Sequence, residues 1–159
     1  MVTLPVGKPR LLVLCTHNSA RSQIAEGWLR HFLPQAEVWS AGTKKTRVKP
    51  EAVRVMAEVG IDLRSHYSKT LYDLPDPWRF DLVLTVCEEA NEACPNYPAK
   101  TARRHFSVPD PSGEPLEEWR RVREILKKIT RRLAAGQPMG SWPTAAELQQ
   151  AVLLDEQIE

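Results

Sequence analysis

The sequence lacks any apolar run long enough to cross a membrane; its clean apolar runs are short, as in Leu11–Leu14. Residues 1–10 also lack the apolar core and cleavage pattern of a signal peptide. Cysteine is scarce, with three in 159 residues, which argues against a structural disulfide framework and favours reactive or buried thiols in a reducing compartment. Excess charge is nearly absent, because the net charge is only +2. We therefore expect a cytoplasmic protein that binds neither membrane nor nucleic acid.

Short apolar segments alternate with amphipathic ones along the chain. A length of 159 residues suits one domain with its own core. The patterns predict strands at Arg10–Cys15, Glu37–Ser40, Asp81–Val86 and Arg104–Val108, and helices at Ala20–Leu33, Pro50–Gly60 and Glu117–Ala134. This order predicts an α/β fold in three layers, α/β/α, with a central four-stranded parallel sheet. We assign residues 1–135 to one α/β domain and residues 136–159 to a C-terminal extension with a short helix at Ala145–Leu154.

The turn that joins the first predicted strand to the first helix has the sequence Cys15-Thr-His-Asn-Ser-Ala-Arg21-Ser22. Successive backbone N–H groups in such a turn, together with the N-terminus of the following helix, form a site for an anion. The planar guanidinium of Arg21 can hold two oxygens of a tetrahedral oxyanion, and Ser22 can donate to a thiolate. Asn18 tolerates a left-handed backbone and can fix the shape of the loop.

A cysteine at the end of a strand is commonly a small buried apolar residue. The arginine and serine that follow Cys15 at these offsets indicate instead a nucleophile. An anion-binding loop lowers the pKa of its thiol, here into the range of roughly 3.5–7.5. We therefore predict an oxyanion-binding loop made of Thr16, His17, Asn18, Ser19, Ala20 and Arg21, with Cys15 as the nucleophile.

These motifs carry a family resemblance. The pattern Cys-x-x-Asn-x-x-Arg-Ser at the end of the first strand resembles the low-molecular-weight tyrosine phosphatase fold, and Arg21–Trp28 resembles its relatives, the thioredoxin-coupled arsenate reductases. The resemblance continues through Ser40-Ala-Gly42, Ile61-Asp62, His66 and Asp110-Pro111, and it covers roughly Arg10–Leu133. It implies a small inorganic oxyanion as substrate, thioredoxin as reductant, a monomer and no cofactor.

The resemblance also implies a role for the other two cysteines. In the family, a nucleophile is followed by two resolving cysteines, and the positions of Cys87 and Cys94 match that spacing. Cys15 then attacks arsenate, Cys87 attacks Cys15 and arsenite leaves, and Cys94 attacks Cys87 to form the disulfide that thioredoxin reduces. The acidic segment between Cys87 and Cys94 favours a helix, which would have to unwind. The spacing of the three cysteines does not match a zinc site, so we expect no metal.

Asp110 matches the general acid that protonates the leaving oxygen in this family. An Asp-Pro pair is otherwise typical of a turn. Tyrosine phosphatases of this fold usually place an aromatic residue after Asp-Pro, whereas this chain has Ser112 and Gly113. The small, open rim favours a small oxyanion over a phenyl ring.

The sequence departs from the family in two places. Position 17 is His, where many relatives have Gly, and a solvated loop histidine is the expected outcome. Some members bind potassium near the active loop; Asn18, Glu26 and Ser40 match that site, but Tyr67 and Lys69 stand where those members use Thr and Asp. We therefore expect little dependence on potassium.

Two alternatives to an arsenate reductase stay open at this point. The first is a phosphatase that acts on aryl or protein phosphotyrosine with Cys15, Arg21 and Asp110. The second is a non-catalytic protein that senses an oxyanion or redox state. Cys94 and the Ser112-Gly113 rim favour the reductase.

Overall fold

The structure, a computed structural model, describes residues 8–135, 142–144 and 146–150. Strands and helices alternate, and a short 3-10 turn at Leu71–Asp73 precedes the third strand. In chain order the elements are β1 (Arg10–Cys15), α1 (Arg21–Phe32), β2 (Glu37–Gly42), α2 (Pro50–Ala57), β3 (Leu82–Thr85), α3 (Glu88–Ala93), β4 (Ala102–His105) and α4 (Leu116–Ala134).

The four strands form one sheet in the order β2-β1-β3-β4, and every pair is parallel. β1 is central, so Leu14 pairs with Ala41 on one side and with Thr85 on the other. Its residues Leu11–Val13 are fully buried, as expected of a strand covered by helices. The predicted α/β fold with a central four-stranded parallel sheet is confirmed.

Helices α1, α2 and α4 pack together, while α3 packs against β1 and β3. The longest of them, α4, buries Trp119, Val122, Leu126, Ile129 and Leu133 at three- and four-residue steps. The predicted apolar stripe of this helix is therefore correct, and it attaches α4 to the core.

The position of β4 differs from the prediction. The strand covers Ala102–His105 and not Arg104–Val108. Phe106 and Val108 are buried as apolar residues of a strand would be, and their N–H groups still bond to Thr85 and Val86, but they lie beyond the regular ladder. Because β4 is an edge strand with one partner, it does not need a run of apolar residues. Its polar first half therefore could not be recognised as a strand from the sequence pattern.

The described part of the C-terminal extension contacts the domain. The guanidinium of Arg104 donates to the carbonyl oxygens of Pro143 (2.6 Å) and Trp142 (3.4 Å), and Leu148 is buried. Residues 146–150 are helical, and the rest of the predicted helix Ala145–Leu154 lies outside the described residues. The division at residue 135 stays a prediction. In the described ranges, no helix is both long and apolar enough to span a bilayer.

Candidate active site

Three separate parts of the chain meet at the carboxyl edge of the sheet. Cys15 ends β1 beside Gly42 at the end of β2, Cys87 follows β3, and Asp110 follows β4. Ligands bind at this edge in open parallel sheets. The fold thus brings together the residues that the sequence nominates.

Asn18 fixes the shape of the loop between β1 and α1. It is fully buried and adopts a left-handed backbone with φ of 51°, which asparagine tolerates. Its Oδ1 accepts from Lys69 N–H and Gln23 Nε2 at 3.0 Å each, and its Nδ2 donates to Ser40 Oγ (2.9 Å) and Ser22 Oγ (2.8 Å). Since Ser22 Oγ accepts from Asn18, the proton of its own hydroxyl is available for the nucleophile.

Gly42 lets β2 approach the loop backbone directly. A Cβ at this position would lie 2.6 Å from Thr16 O and 2.9 Å from Asn18 N, closer than side chains come to backbone. The segment after Gly42 then binds the loop, because Thr43 N and Lys44 N both donate to Thr16 O at 2.9 Å. The loop is therefore held by the end of β2 as well as by α1.

The remaining backbone N–H groups of the loop are free to bind an anion. Within residues 8–135, those of residues 17–20 donate to no other backbone group. α1 begins at Arg21, and its N-cap residue Ala20 supplies no side-chain acceptor. Free donors at the start of a helix favour an anion, through both their hydrogen bonds and the helix dipole. The side chain of His17 is exposed, as expected of a solvated loop histidine.

Arg21 lies over the other side of the site, with only 12% of its side chain exposed. Its Nη1 donates to Val108 O (2.8 Å), and its Nη2 lies 3.8 Å from Asp110 Oδ2. Its Nε is buried without a hydrogen-bond partner, a condition shared in the described residues only by Trp119 Nε1. A buried guanidinium donor is costly to leave unpaired, and an oxyanion bound in the loop would satisfy it.

The thiols of Cys15 and Cys87 lie close enough for each to shift the pKa of the other, and their residues are 4% and 7% exposed. The hydrogen bond to Cys87 and burial raise the pKa of Cys15, although the charge of Arg21 acts in the opposite direction. The same bond lowers the pKa of Cys87 to about 5, against burial and with help from Thr16. The two thiols therefore titrate as a coupled pair that shares one proton and one negative charge.

The predicted low pKa of Cys15 is wrong for this arrangement. The prediction considered the loop and Arg21 but not a second thiol in contact with the first. Because a thiolate on Cys87 disfavours another on Cys15, the lowered pKa is that of Cys87.

Cys87 and Cys94 lie at the two ends of α3. Cys87 is the N-cap, and its Sγ accepts from Ala90 N–H (3.4 Å); Cys94 is the C-cap. The predicted helical character of this segment is confirmed. Cys94 is half-buried in the wall of a cavity of about 210 Å³ that Leu14, Thr43 and Tyr72 also line, and burial raises the pKa of its thiol. The structure therefore brings Cys87, but not Cys94, to Cys15.

Asp110 lies at the rim with about half of its side chain exposed. Burial alone would raise its pKa, but Ser112 N–H, which donates to Oδ1 at 3.0 Å, and the charges of Arg21 and His17 leave the pKa below the ordinary value. A bound dianion beside this carboxyl would push its pKa upward, as an acid catalyst requires. Ser112 and Gly113 after it are exposed and form the expected small rim.

A charged cluster lies behind the loop. Glu26 is 3% exposed and accepts from Ser40 Oγ (2.6 Å) and Arg30 Nε (2.8 Å). The buried ammonium of Lys69 lies 3.9 Å from Glu26 Oε1 and donates to Tyr67 O (3.0 Å). Burial lowers the pKa of Lys69, while Glu26 acts against that change. Among the described residues, no group of three or more His, Cys, Asp and Glu side chains is placed to hold a metal ion.

Sequence reasoning missed one contact to the loop. Thr16 Oγ1 donates to Glu89 Oε2 (2.8 Å) and lies 3.3 Å from Cys87 Sγ. Nothing in the acidic segment of α3 distinguishes Glu89 from its neighbour Glu88, which bonds instead to His105 and Ser107. Only the fold shows which carboxylate reaches the loop.

Comparison with known proteins agrees with this geometry. The family model described as "Low molecular weight phosphotyrosine protein phosphatase" matches residues 10–150. The chain is 40% identical over 121 residues to arsenate reductase 2 of Staphylococcus epidermidis, covering 76% of this chain and 92% of that protein. Arsenate reductase of Staphylococcus aureus strain Newman matches with the same identity and coverage.

Solved structures give the same picture. An arsenate reductase in the phosphate binding state has a TM-score of 0.68 at 30% identity, covering 80% of this chain and 97% of that one. An arsenate reductase in the oxidized state has a TM-score of 0.71 at 30% identity, covering 79% and 96%. The tyrosine phosphatase Wzb of Escherichia coli K30 in complex with sulphate has a TM-score of 0.68 at 23% identity, covering 80% and 97%, which shows a shared fold.

Proposed function

The chain belongs to the low-molecular-weight phosphotyrosine protein phosphatase family, and from this premise we propose that it is an arsenate reductase with Cys15 as nucleophile and Cys87 and Cys94 as resolving thiols. The similar proteins named arsenate reductase, at 40% identity, support the activity. The roles of the individual residues rest on the geometry of the site.

The observation that carries the proposal is the placement of two buried thiols, Cys15 and Cys87, at the oxyanion loop, close enough for each to shift the pKa of the other. A phosphatase needs one cysteine, because water hydrolyses its phospho-cysteine and no electrons move. A reductase needs a second sulfur that can reach the first. A second buried thiol in contact with the nucleophile is superfluous for hydrolysis and required for reduction.

Oxyanion binding uses the free donors of the loop. The N–H groups of residues 17–20 and the start of α1 hold the arsenate oxygens. The Nε of Arg21, which is buried without a partner, donates a hydrogen bond to the bound oxyanion. Arg21 Nη2 lies close enough to Asp110 to keep that carboxyl at the rim, where it protonates the leaving oxygen.

The redox step balances as follows. Cys15 Sγ forms a bond to arsenic and a hydroxyl leaves as water with the proton of Asp110. Cys87 thiolate then attacks Cys15 Sγ; the S–S bond forms, the S–As bond breaks, and its electron pair stays on arsenic. Arsenic(V) becomes arsenic(III), and the two sulfurs are oxidised to a disulfide.

Regeneration requires α3 to open. A disulfide joins Cα atoms about 4.4–6.8 Å apart, whereas residues seven apart in a helix are separated by about 10.5 Å. Cys94 therefore reaches Cys87 only after α3 unwinds. The new Cys87–Cys94 disulfide then leaves the buried site and becomes accessible to thioredoxin. We propose that the protein works as a monomer in the cytoplasm, where reducing conditions keep its three cysteines free.

Phosphatase activity is the second candidate. Cys15, Arg21 and Asp110 form the complete set for hydrolysis of a phosphate ester. The exposed Ser112 and Gly113 leave no aromatic wall for a phenyl ring at that rim. We expect a slow side activity on aryl phosphates.

The test is oxidation of NADPH that depends on arsenate, with thioredoxin and thioredoxin reductase present. Wild type should turn over repeatedly, and Cys87→Ser should release almost no arsenite yet still hydrolyse p-nitrophenyl phosphate. Fast hydrolysis by wild type without any arsenate reduction would establish the phosphatase instead. No turnover of either substrate would revive a sensing role.

A further inference from the structure

Thr16 lies between the resolving thiol and a carboxylate. Its Oγ1 is 3.3 Å from Cys87 Sγ and 2.8 Å from Glu89 Oε2. Thr16 is 4% exposed, whereas Glu89 is exposed. Building on the proposed function, we propose that Glu89, acting through the hydroxyl of Thr16, takes the proton of Cys87 before Cys87 attacks Cys15. Glu89 is thus a positioning residue of the reduction step and has no part in oxyanion binding.

The contacts of Thr16 support this direction of transfer. A hydroxyl has one proton, so Thr16 cannot donate to the carboxylate and to a thiolate at the same time. While it donates to Glu89, its lone pairs face Cys87 and can accept from a thiol. While Cys87 is a thiolate, the same hydroxyl proton turns toward sulfur. The hydroxyl therefore links the two groups in either proton state.

The reaction itself delivers a proton to Cys87. Cys15 attacks only after losing its proton, and the thiol of Cys87 is close enough to shift its pKa. The proposed route therefore passes this proton from Cys15 to Cys87. Cys87 emerges as a thiol at the moment when its thiolate is needed next. At 7% exposure it has poor access to water, and Thr16 is a polar partner on the way out.

The proposed transfer conserves every proton and needs no added reagent. Cys87 Sγ gives its proton to Thr16 Oγ1, and Thr16 gives its own proton to Glu89 Oε2. The Cys87 thiolate forms the S–S bond while the S–As bond breaks, as described above. Glu89, which is exposed, then releases the proton to water, and Thr16 is unchanged.

A neighbouring residue provides the matched control. Glu88 stands beside Glu89 in the first turn of α3 and carries the same charge, but its carboxylate bonds to His105 and Ser107 rather than to the loop. Glu89→Gln and Glu88→Gln therefore have the same effect on helix charge and propensity. A difference between them reports the link to Thr16.

The experiment measures single-turnover arsenite release and steady-state arsenate reduction for both variants. Glu89→Gln should slow arsenite release and lower kcat about 10²-fold, which is the lower end of what a positioned proton acceptor contributes, with KM for arsenate unchanged. Glu88→Gln should reduce arsenate at the wild-type rate. In a second pair, Thr16→Ser keeps a hydroxyl and should retain activity that Thr16→Val loses.

The outcomes separate this proposal from the assignment of function. If wild type reduces no arsenate, the proposed function fails. If wild type reduces arsenate and Glu89→Gln matches Glu88→Gln, or Thr16→Ser is as slow as Thr16→Val, the proton route is wrong and the reductase stands. A rise in KM with constant kcat for Glu89→Gln would also overturn the route, because it would place the residue in binding.

Discussion

Replacement of Cys94 by Ser tests the relay most directly. The variant keeps Cys15 and Cys87, which already contact each other, so it should release about one arsenite per chain. It should then stall as a Cys15–Cys87 disulfide. Both residues are less than a tenth exposed, and thioredoxin must reach one of the sulfurs to reduce it.

The size of the defect follows from the contacts that keep α3 closed. Asn91 alone makes three hydrogen bonds that hold α3 in place. Its N–H donates to Cys87 O (3.0 Å), its carbonyl oxygen accepts from Arg103, and its Oδ1 accepts from Thr85 Oγ1 (3.4 Å). At about 1 kcal/mol each, these bonds keep the open form near 3 kcal/mol above the closed one. That corresponds to about 150-fold in population. In the variant, thioredoxin can reach the Cys15–Cys87 disulfide only in this small open fraction, whereas in wild type the Cys87–Cys94 disulfide holds α3 open once it has formed. Repeated turnover of the variant should therefore fall to about 1% of wild type.

The assay combines a quench of single turnovers, steady-state oxidation of NADPH with thioredoxin, and disulfide mapping by mass spectrometry. Ala93→Ser, which changes the adjacent residue and leaves the thiol, is the control for disturbance of α3. Sustained turnover of Cys94→Ser close to the wild-type rate would refute the relay. Accumulation of a Cys87-to-thioredoxin adduct without a Cys15–Cys87 stage would refute the order of the steps.

Other variants and conditions probe the remaining parts of the site. Arg21→Lys keeps the charge but loses the planar guanidinium that binds two oxygens at once, so kcat/KM for arsenate should drop about 10²- to 10³-fold. A drop of less than tenfold would contradict the role of Arg21 in oxyanion binding. Gly42→Ala would place a Cβ 2.6 Å from Thr16 O, so chemical denaturation should show a loss of about 1–3 kcal/mol and KM for arsenate should rise; an unchanged KM would show that the loop tolerates the contact. Turnover should be equal in potassium and tetramethylammonium salts at equal ionic strength, since the Lys69 ammonium already stands near the buried carboxylate, and several-fold activation by potassium would contradict this. Because the pKa of Cys87 is lowered to about 5, its thiol should be ionised above that pH and protonated below it. A titration that follows the far-ultraviolet absorbance of thiolates should show this ionisation in wild type and lose it in Cys87→Ser. If Cys87→Ser keeps the ionisation, the thiolate belongs to another residue.

Spacing along the chain was enough to place Cys15, Asn18 and Arg21 in one loop, while the role of Cys15 as nucleophile stays a prediction. Cys15, Asn18 and Arg21 lie within seven residues, and their geometry follows from one local turn between a strand and a helix. The end-of-strand positions of Cys87 and Asp110 followed from the parallel sheet, whose carboxyl ends share an edge.

Properties that depend on contacts between distant residues were not predictable in the same way. The pKa of Cys15 is set by Cys87, which is remote in sequence and hydrogen-bonded in space. The choice of Glu89 over Glu88 as the partner of Thr16 depends on how α3 is rotated on the sheet. The edge strand β4 was misplaced because a strand paired on one side does not need an apolar repeat.

The central position of β1 has a consequence for biosynthesis. β1 leaves the ribosome before the other described strands, yet one of its two neighbours in the sheet is β3, where Leu11 pairs with Leu82. Pairing of strands that are far apart in the sequence is slow, and a strand can pair only after its partner strand has been synthesised. Cys15 therefore stays exposed on the growing chain until residues beyond β3 emerge. The thiol of Cys15 is therefore open to oxidation during synthesis, before the fold buries it.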